Sequence, residues 1–272
     1  YGLFASGAVT APNSYKTRLN RAVSLFERDA MSDQAVAELE RCLGILKSPP
    51  LSADQEDPGI YSNAAAIYGG RGDAVKRSGA PDAAQLSRAW YEKAMVVLRR
   101  GLAIDQARAV ENEEANVKAG RPRAIFGVYE FYRELGKAYI RLGEPEKAIE
   151  PLDHASLIRP NAEIFQVFSE AYAAMHDSDG AAVALMEGQV IDPDQRGSAS
   201  ELVDLYKKMD PSGCAVTSAG GGNSLNIECP LVHRHLCAGV RRMAELYDRR
   251  YQPMEARRTR ITGAQSFGCP AQ

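Results

Sequence analysis

Apolar residues along most of the chain recur at every third or fourth position, which is the spacing of one face of an α-helix. The clearest example is a pair of such faces separated by the break LGEP at 142–145. Pro145 suits the first turn of the second helix, and Pro160 lies where that helix should end. The first face comprises Tyr132, Leu135, Gly136 and Tyr139, and the second comprises Ala148, Leu152 and Ala155. The pattern therefore predicts two helices joined by a short turn.

The same pattern recurs along the chain with a period of 33 or 34 residues, since Tyr172 follows Tyr139 by 33 positions and Tyr206 follows by a further 34. A period of about 20 to 50 residues is typical of stacked repeats, because one helix pair cannot bury its apolar face alone. The predicted copies cover residues 16–49, 58–106 with an insertion, 129–162 and 163–195.

Small residues occupy fixed positions within each copy, such as Gly136, Ala148 and Ala155 in the third. Two helix axes approach to roughly 8 Å only where such residues lie at the contact, and larger neighbours fill the space beside them. We therefore expect the tyrosines of the repeat to pack in the core. These tyrosines are Tyr61, Tyr68, Tyr132, Tyr139, Tyr172 and Tyr206.

The run from Tyr132 to Pro160 resembles the signature of the tetratricopeptide repeat (TPR) family, with Tyr132 where tryptophan is the usual residue. The resemblance implies an all-α fold, a right-handed α-solenoid of antiparallel helix hairpins. It also implies that the first helices of successive hairpins line a concave groove for an extended peptide or a partner helix. The positions that would face this groove are Asn20, Ser24, Asn63, Arg133, Lys137, Gln166 and Glu170.

Two of these positions, Arg133 and Lys137, lie one helical turn apart and suit an acidic segment of a partner. The paired lysine and asparagine set with which some family members clamp a terminal carboxylate is not matched. The function class that the resemblance implies is a non-enzymatic scaffold that binds a protein or a peptide.

The predicted organisation has three parts: an N-terminal extension at 1–15, TPR-like repeats at 16–195, and a degenerate repeat with a cysteine-containing helical cap at 196–272. Extra segments are expected between helices, where they could lengthen the helices or form lids. They cover residues 48–59, 69–86 and 109–127.

The end of the chain allows two interpretations. The segment 211–224 is a loop by composition, which leaves the predicted helix 199–209 without an immediate partner. Either 231–250 and 253–266 form a last hairpin, or 231–250 pairs with 199–209 and 253–266 caps the stack. In both interpretations the last helix is polar enough to end a stack of repeats.

Composition excludes several classes of partner. The chain has 272 residues and a formal net charge of -2, from 33 Lys and Arg against 35 Asp and Glu. This balance provides no long-range field for nucleic acid or an anionic membrane. The uncharged opening at 1–15 is too short to cross a bilayer, so no direct membrane insertion is expected. A chain that begins at Tyr1 without a signal peptide indicates a mature form or a fragment.

The cysteines indicate an oxidising cellular compartment. Cys214, Cys229, Cys237 and Cys269 cluster in the last part of the chain, and an even, local set favours two disulfides in an oxidising space, periplasmic or secreted. Four cysteines allow three pairings, of which we expect Cys229 with Cys269 and Cys214 with Cys237. Cys42 occupies a small-residue position of the repeat and is expected to be a buried packing thiol.

Zinc is the alternative use of these cysteines. Cys229, His233 and Cys237 are spaced at i, i+4 and i+8 and would share one helix face, although the spacing matches no standard zinc motif. The chain contains no GxSxG, HExxH or Walker GxxxxGK[ST] motif. We therefore predict neither a catalytic site nor a cofactor.

A second resemblance concerns the opening APNSYKTRLNRAVSLF at 11–26. It is similar to the start of the repeat array in membrane O-mannosyltransferase-like proteins, which carry such repeats after their transmembrane part. That likeness implies an alternative function: an exported accessory or substrate-recruiting region of a larger membrane glycosyltransferase-like enzyme, tethered through an N-terminal membrane part.

Overall fold

The computed structural model describes residues 14–47, 56–192, 196–210, 213, 215–219 and 224–270, so nearly all of the predicted extension at 1–15 lies outside them. The described residues are predominantly helical. The helices are α1 (Tyr15–Arg28), α2 (Asp33–Leu46), α3 (Gly59–Arg77), α4 (Ala83–Lys118), α5 (Tyr129–Leu142), α6 (Ile149–Ile158), α7 (Ala162–Ala174), α8 (Ser178–Ile191), α9 (Arg196–Met209), α10 (Pro230–Arg249) and α11 (Pro253–Phe267). A 3-10 helix, Pro145–Ala148, precedes α6. None of these helices is both long and apolar enough to cross a lipid bilayer.

Side-chain caps explain where several helices begin. A polar side chain before the first turn accepts a hydrogen bond from a backbone amide that has no partner within the helix, which contributes about 1 kcal/mol. This arrangement occurs at Ser14 for α1, Ser32 for α2, Asn161 for α7 and Asp177 for α8. Pro145 lies at the start of the 3-10 helix, as the sequence predicts.

The described residues form two compact units. The first extends as far as Ala119 and includes Phe126–Leu142; the second comprises Gly120–Ile125 and the chain from Gly143 onward. The division falls within the region that the sequence assigns to repeats.

Helices of the first unit pack in sequence order. Helix α1 packs against α2, and α3 packs against α4. Helix α3 also contacts α1 and α2, and α5 packs against both α3 and α4. The packing is therefore mostly between neighbours along the chain, with α3 between the first helix pair and α5.

Glycine permits the closest of these contacts. A Cβ atom at Gly101 of α4 would lie 2.5 Å from the ring of Phe131 and 2.8 Å from the Cβ of Tyr61. A Cβ atom at Gly72 of α3 would lie 2.4 Å from the ring of Tyr91. The expectation that small residues allow close approach beside tyrosines is confirmed at these positions. Of the repeat tyrosines, Tyr61, Tyr68, Tyr132 and Tyr206 are buried, whereas Tyr139 and Tyr172 are partly exposed.

A polar contact ties three helices of this unit together. Arg141 of α5 donates to both carboxylate oxygens of Asp73 on α3, at 3.1 and 2.6 Å. The Tyr91 hydroxyl of α4 donates to the same carboxylate at 3.0 Å. Burial, reinforced by this carboxylate, raises the pKa of Tyr91 to about 12, so its hydroxyl stays a donor at neutral pH.

The second unit is built around α8. Helix α7 packs against α8 and against α6 with its 3-10 helix, while α8 also packs against α9 and α10. Helix α10 packs along α11. An apolar cluster joins α8, α9 and α10, and it centres on Leu185, Met186, Leu202 and Tyr206.

A hydrogen-bonded chain crosses this cluster. The His235 side chain is buried, with Nδ1 lying 3.1 Å from the Tyr206 hydroxyl and Nε2 lying 2.9 Å from a carboxylate oxygen of Asp179. Arg234 donates to the same Asp179 oxygen at 2.8 Å. Helix α10 thus contacts α9 through His235, as one interpretation of the chain end expects. It also packs along α11, as the other interpretation expects.

Residues 69–86 and 109–127 were expected either to lengthen helices or to form lids. Because α3 continues to Arg77 and α4 runs from Ala83 to Lys118, most of this extra length is helical. A third segment differs from its prediction. The segment 211–224 was predicted as a loop, and an all-α fold was expected. Strand β1 (Ala215–Ala219) lies there and pairs antiparallel with β2 (Ser224–Glu228). The backbone register pairs Val216 with Ile227 in this hairpin.

We expect the Gly101→Ala substitution to destabilise the first unit by about 1–3 kcal/mol, because the added methyl group overlaps Phe131 and Tyr61. Urea unfolding followed by circular dichroism measures the change. Gly44→Ala is the matched control, because nothing lies within 4 Å of the new Cβ on α2; it should stabilise by about 0.5–1 kcal/mol. Equal effects at the two glycines would contradict the close contact at Gly101.

We expect acid to weaken the second unit through His235. Burial lowers the pKa of His235 from 6.5, and this outweighs Asp179, which raises it; Arg234 also lowers it. The unfolded chain therefore binds more protons in acid, so the stability linked to His235 is complete above about pH 6.5 and is lost as the pH falls below that value. Unfolding free energies from pH 7.5 to 5 should decrease less steeply in His235→Gln. A slope in His235→Gln equal to that of wild type would contradict this linkage.

Candidate functional site

A cavity of about 400 Å³ lies on the first unit between α3 and α5. Two positions that the TPR resemblance assigns to a groove, Asn63 and Arg133, line it together. The remaining lining is polar or small and comprises Gly59, Ser62, Ala66, Val128, Glu130 and Glu134. The structure therefore brings residues of two helices that are far apart in sequence into one polar concavity.

Contacts with α4 position the α5 side of this cavity. The close packing of Phe131 on Gly101 brings the start of α5 onto α4. Just before α5, the backbone amide of Val128 donates to the carboxylate of the buried Asp105 at 3.1 Å. Because both contacts involve core residues of α4, the lining residues that follow Val128 are held by the packed interior of the unit.

The charge at the cavity is organised by Glu134, whose side chain is only 5% exposed. Its Oε1 atom accepts from Arg133 Nη2 at 3.2 Å and from Lys137 Nζ at 3.3 Å. Removing a carboxylate from water is costly unless cations and hydrogen bonds compensate for the lost solvation, and these two side chains provide that compensation. The sequence singled out both cations but missed the carboxylate between them.

The α3 side presents uncharged polar groups. The Asn63 side chain is exposed and donates from Nδ2 to the carbonyl of Gly59, one turn earlier, at 2.9 Å. Ser62 donates to the same carbonyl at 2.9 Å. An amide and a hydroxyl on adjacent positions can each both donate and accept, which suits the alternating donors and acceptors of a peptide backbone.

The other groove positions predicted from the resemblance do not line this cavity. Asn20 is exposed and Ser24 partly exposed on α1, within the same unit. Gln166 and Glu170 lie on α7, in the second unit, where Gln166 donates to Glu201 of α9 at 2.7 Å. Each of these residues is a surface position of its helix, and the cavity itself brings together only Asn63 and Arg133 of the set.

A sequence signal for Glu134 did exist. It follows Phe131 by three positions and precedes Ala138 by four, so it falls on the buried face of α5. A lone carboxylate on an apolar face needs a partner, and cations at the neighbouring positions are the nearest source of one.

Cysteine pairing in the second unit differs from the predicted one: Cys237 is bonded to Cys269. Helix α11 lies against α10 where Gly263 meets Val240, and Gly268 then ends α11 with a φ of 66°. The Cys269 amide donates to the Gly263 carbonyl at 3.0 Å, which returns the chain toward α10.

The expected pairing of Cys229 with Cys269 and of Cys214 with Cys237 was therefore wrong. Cys229 precedes α10 and lies eight positions before Cys237, which corresponds to about 12 Å along a helix. Cys229 is itself disulfide-bonded. Cys214 lies outside the described residues.

Cys42 is free and fully buried, as predicted, and burial raises the pKa of its thiol to about 11.

The alternative zinc set, Cys229, His233 and Cys237, is not brought together as predicted. His233 Nε2 lies 3.7 Å from Cys237 Sγ, and the third potential ligand atom nearby is the sulfur of Cys269 and not that of Cys229. Both sulfurs are consumed by the disulfide, whereas zinc binds cysteine as thiolate. His233 Nε2 also lies 3.0 Å from the Phe267 carbonyl oxygen, so it has a structural partner at the end of α11.

No protein-family model matches the chain, and no curated protein matches it.

Tryptic digestion without reductant tests the observed disulfide. Cleavage at Arg234, Arg241 and Arg260 separates three peptides: 209–234, 235–241 and 261–272. We expect 235–241 to be linked to 261–272, because the Cα atoms of Cys237 and Cys269 are 5.4 Å apart, within the range that a disulfide spans. Mass spectrometry identifies the linked pair. A link from 209–234 to 261–272 would instead support the pairing expected from sequence.

Proposed function

We propose that this protein is a non-enzymatic interaction scaffold whose first unit binds an extended peptide of a partner protein along α3 and α5. The observation that carries the proposal is the polar cavity of about 400 Å³ on these helices, lined by Asn63 and Arg133. In a TPR-like array, α3 and α5 are the first helices of consecutive repeats, and such helices form the binding groove.

Packing in the first unit supports this assignment. Each helix contacts its neighbour along the chain, and α3 contacts both α1 and α5. Stacked helix pairs produce contacts of this order, between first helices of successive pairs as well as within each pair. Right-handed stacking of TPR hairpins over the whole chain is part of the proposal.

The chemistry of the cavity favours a peptide ligand that is recognised through hydrogen bonds to its backbone. Arg133 and Lys137 share the carboxylate of Glu134, so an acidic side chain of the ligand would compete with that group for both cations. Asn63 and Ser62 carry no charge and can both donate and accept. We therefore propose a central backbone contact at Asn63, with an acidic group of the ligand approaching Arg133 from the rim.

Binding rather than catalysis is supported by the absence from the sequence of the common nucleophile, metalloprotease and phosphate-binding motifs. A partner protein is the proposed ligand class, and neither a cofactor nor a nucleic acid is part of the proposal.

The Cys237–Cys269 disulfide supports an extracytoplasmic location, periplasmic or secreted, because such bonds persist in oxidising compartments. The accessory region of a membrane glycosyltransferase-like enzyme would share this location and stays a prediction.

Selection of peptides from a random display library against the full chain tests the proposal. We expect a consensus to be enriched, and we expect Asn63→Ala to weaken the selected peptides at least tenfold in isothermal titration, because one buried backbone contact contributes about 1.5 kcal/mol. Arg133→Ala should weaken peptides that contain an acidic residue more than those that lack one.

The matched control is Gln85→Ala, which removes an exposed amide from α4, the second helix of the pair. It should leave affinity unchanged. Selected peptides that bind wild type and Asn63→Ala equally would contradict the proposed groove, as would the absence of any enriched sequence.

A further inference from the structure

A second cavity, of about 290 Å³, lies entirely within the second unit. It is walled by α6, α7, α8 and α10, and none of the groove positions predicted from sequence lines it. Its lining combines aromatic rings with ionisable groups. The residues used below are Phe165, Phe168 and Tyr172 of α7, Glu187 of α8, and Arg242 and Glu245 of α10.

Glu187 is the unusual member of this lining. It lies in an otherwise apolar stretch of α8, and the residue is only 7% exposed. Within the described residues its carboxyl group has no hydrogen bond and no ion pair. A buried carboxyl group without a partner is costly, and here it faces an open cavity instead of packed protein.

Aromatic rings of α7 form another part of the lining. Phe165 and Phe168 stack with ring centroids 6.0 Å apart, and Phe168 and Tyr172 stack at 6.3 Å. These positions recur along α7 at helical spacing, so the three rings form one continuous stripe. Gly180 permits the position of the last ring, because a Cβ atom there would lie 2.8 Å from Tyr172.

The remaining charged residues that line the cavity are balanced, with two carboxylates and two guanidinium groups. Arg249 donates to both oxygens of Asp153, at 2.8 and 2.6 Å, so these two lining residues neutralise each other. Glu245 and Arg242 are the other charged lining residues, and both are exposed. A cation would stabilise the ionised form of the Glu187 carboxyl group, which has no ion pair within the described residues, whereas an anion would oppose its ionisation.

We propose that this cavity binds a primary ammonium group on a short apolar stem, with the ammonium against the Glu187 carboxylate and the stem along the rings of Phe165, Phe168 and Tyr172. Aromatic faces attract cations and also pack against methylene groups, so this wall suits both parts of such a ligand. The volume accommodates a chain of lysine side-chain length. A free alkylamine and a lysine side chain of another protein share this chemistry.

Binding of the ammonium group is coupled to the release of a proton from Glu187. Burial raises the pKa of Glu187 to about 8; Arg242 lowers it, and Glu245 and Asp153 raise it further. At pH 7 the empty site therefore carries a neutral carboxylic acid. An entering ammonium stabilises the ionised form, so the carboxyl O–H proton passes to the buffer and the charge of the site is conserved. The affinity should rise close to tenfold per pH unit below about pH 8 and level off above it.

Isothermal titration of the full chain with n-butylammonium chloride tests the proposal. We expect binding at pH 7 with release of close to one proton, measured from the heats in buffers of different ionisation enthalpy. The neutral n-butanol should bind at least tenfold more weakly. Equal affinities for the two probes, or binding of the ammonium without proton release, would overturn the proposal.

Capped lysine, Nα-acetyl-lysine N-methylamide, distinguishes the two sources of the amine. If it binds at least as tightly as n-butylammonium, a lysine of a partner is the ligand class. If only n-butylammonium binds, the ligand is a free amine. If neither probe binds between pH 7 and 8.5, the cavity is not an ammonium site.

Glu187→Gln should reduce n-butylammonium affinity at least tenfold and abolish the proton release. It replaces a neutral carboxylic acid by a neutral amide of the same shape, so we expect the melting temperature at pH 7 to be close to that of wild type. Glu150→Gln is the matched control, because Glu150 is exposed on α6 outside the cavity lining. Unchanged affinity in Glu187→Gln would overturn the proposal.

A second variant tests the site even if Glu187→Gln fails to fold. Tyr172→Leu removes one ring face but retains an apolar side chain, and it should weaken n-butylammonium binding several-fold while the proton release persists. Unchanged affinity in this variant would show that the aromatic rings do not contribute to binding. The second-unit cavity is separate from the peptide site proposed on α3 and α5, so failure of either proposal leaves the other standing.

Discussion

The first unit depends on how closely α5 can approach α4 at Gly101. Any side chain there would overlap both Phe131 and Tyr61, so the absence of a Cβ atom sets the distance between the two helices. The position of α5 beside α3 follows from that distance, and so does the cavity between them. The salt bridge of Arg141 with Asp73 and the Asp105 contact with the Val128 amide then fix α5 at both ends.

Three buried glutamates differ in what compensates for removing a carboxylate from water. Glu38 of α2 is surrounded by guanidinium groups and is a structural anchor; they belong to Arg18, Arg21 and Arg41. Glu134 shares two cations at the rim of a cavity, where a ligand can exchange with them. Glu187 has no partner within the described residues and faces an open space. All three residues are buried, but only the third leaves its compensation to a ligand.

The second unit is organised differently from the first. Helix α8 is buried along most of its length, because α7, α9 and α10 all pack against it. The β1–β2 hairpin precedes α10 in the chain, the disulfide joins Cys237 of α10 to Cys269 after α11, and the hydrogen bonds of His235 connect α10 to α9 and α8. Polar and covalent links thus supplement the small apolar core at the end of the chain.

The sequence by itself predicted a mainly helical chain, the burial of Cys42 and the burial of most of the repeat tyrosines, because helical periodicity and small-residue spacing are local properties. The resemblance to the TPR signature also predicted Asn63 and Arg133 as groove positions, and these two residues line one cavity. Only the tertiary structure decided the rest. Cysteine pairing depended on how α11 folds back on α10. The roles of Glu134 and Glu187 depended on which groups from distant helices face them, and a local pattern carries no information about partners that lie far away along the chain.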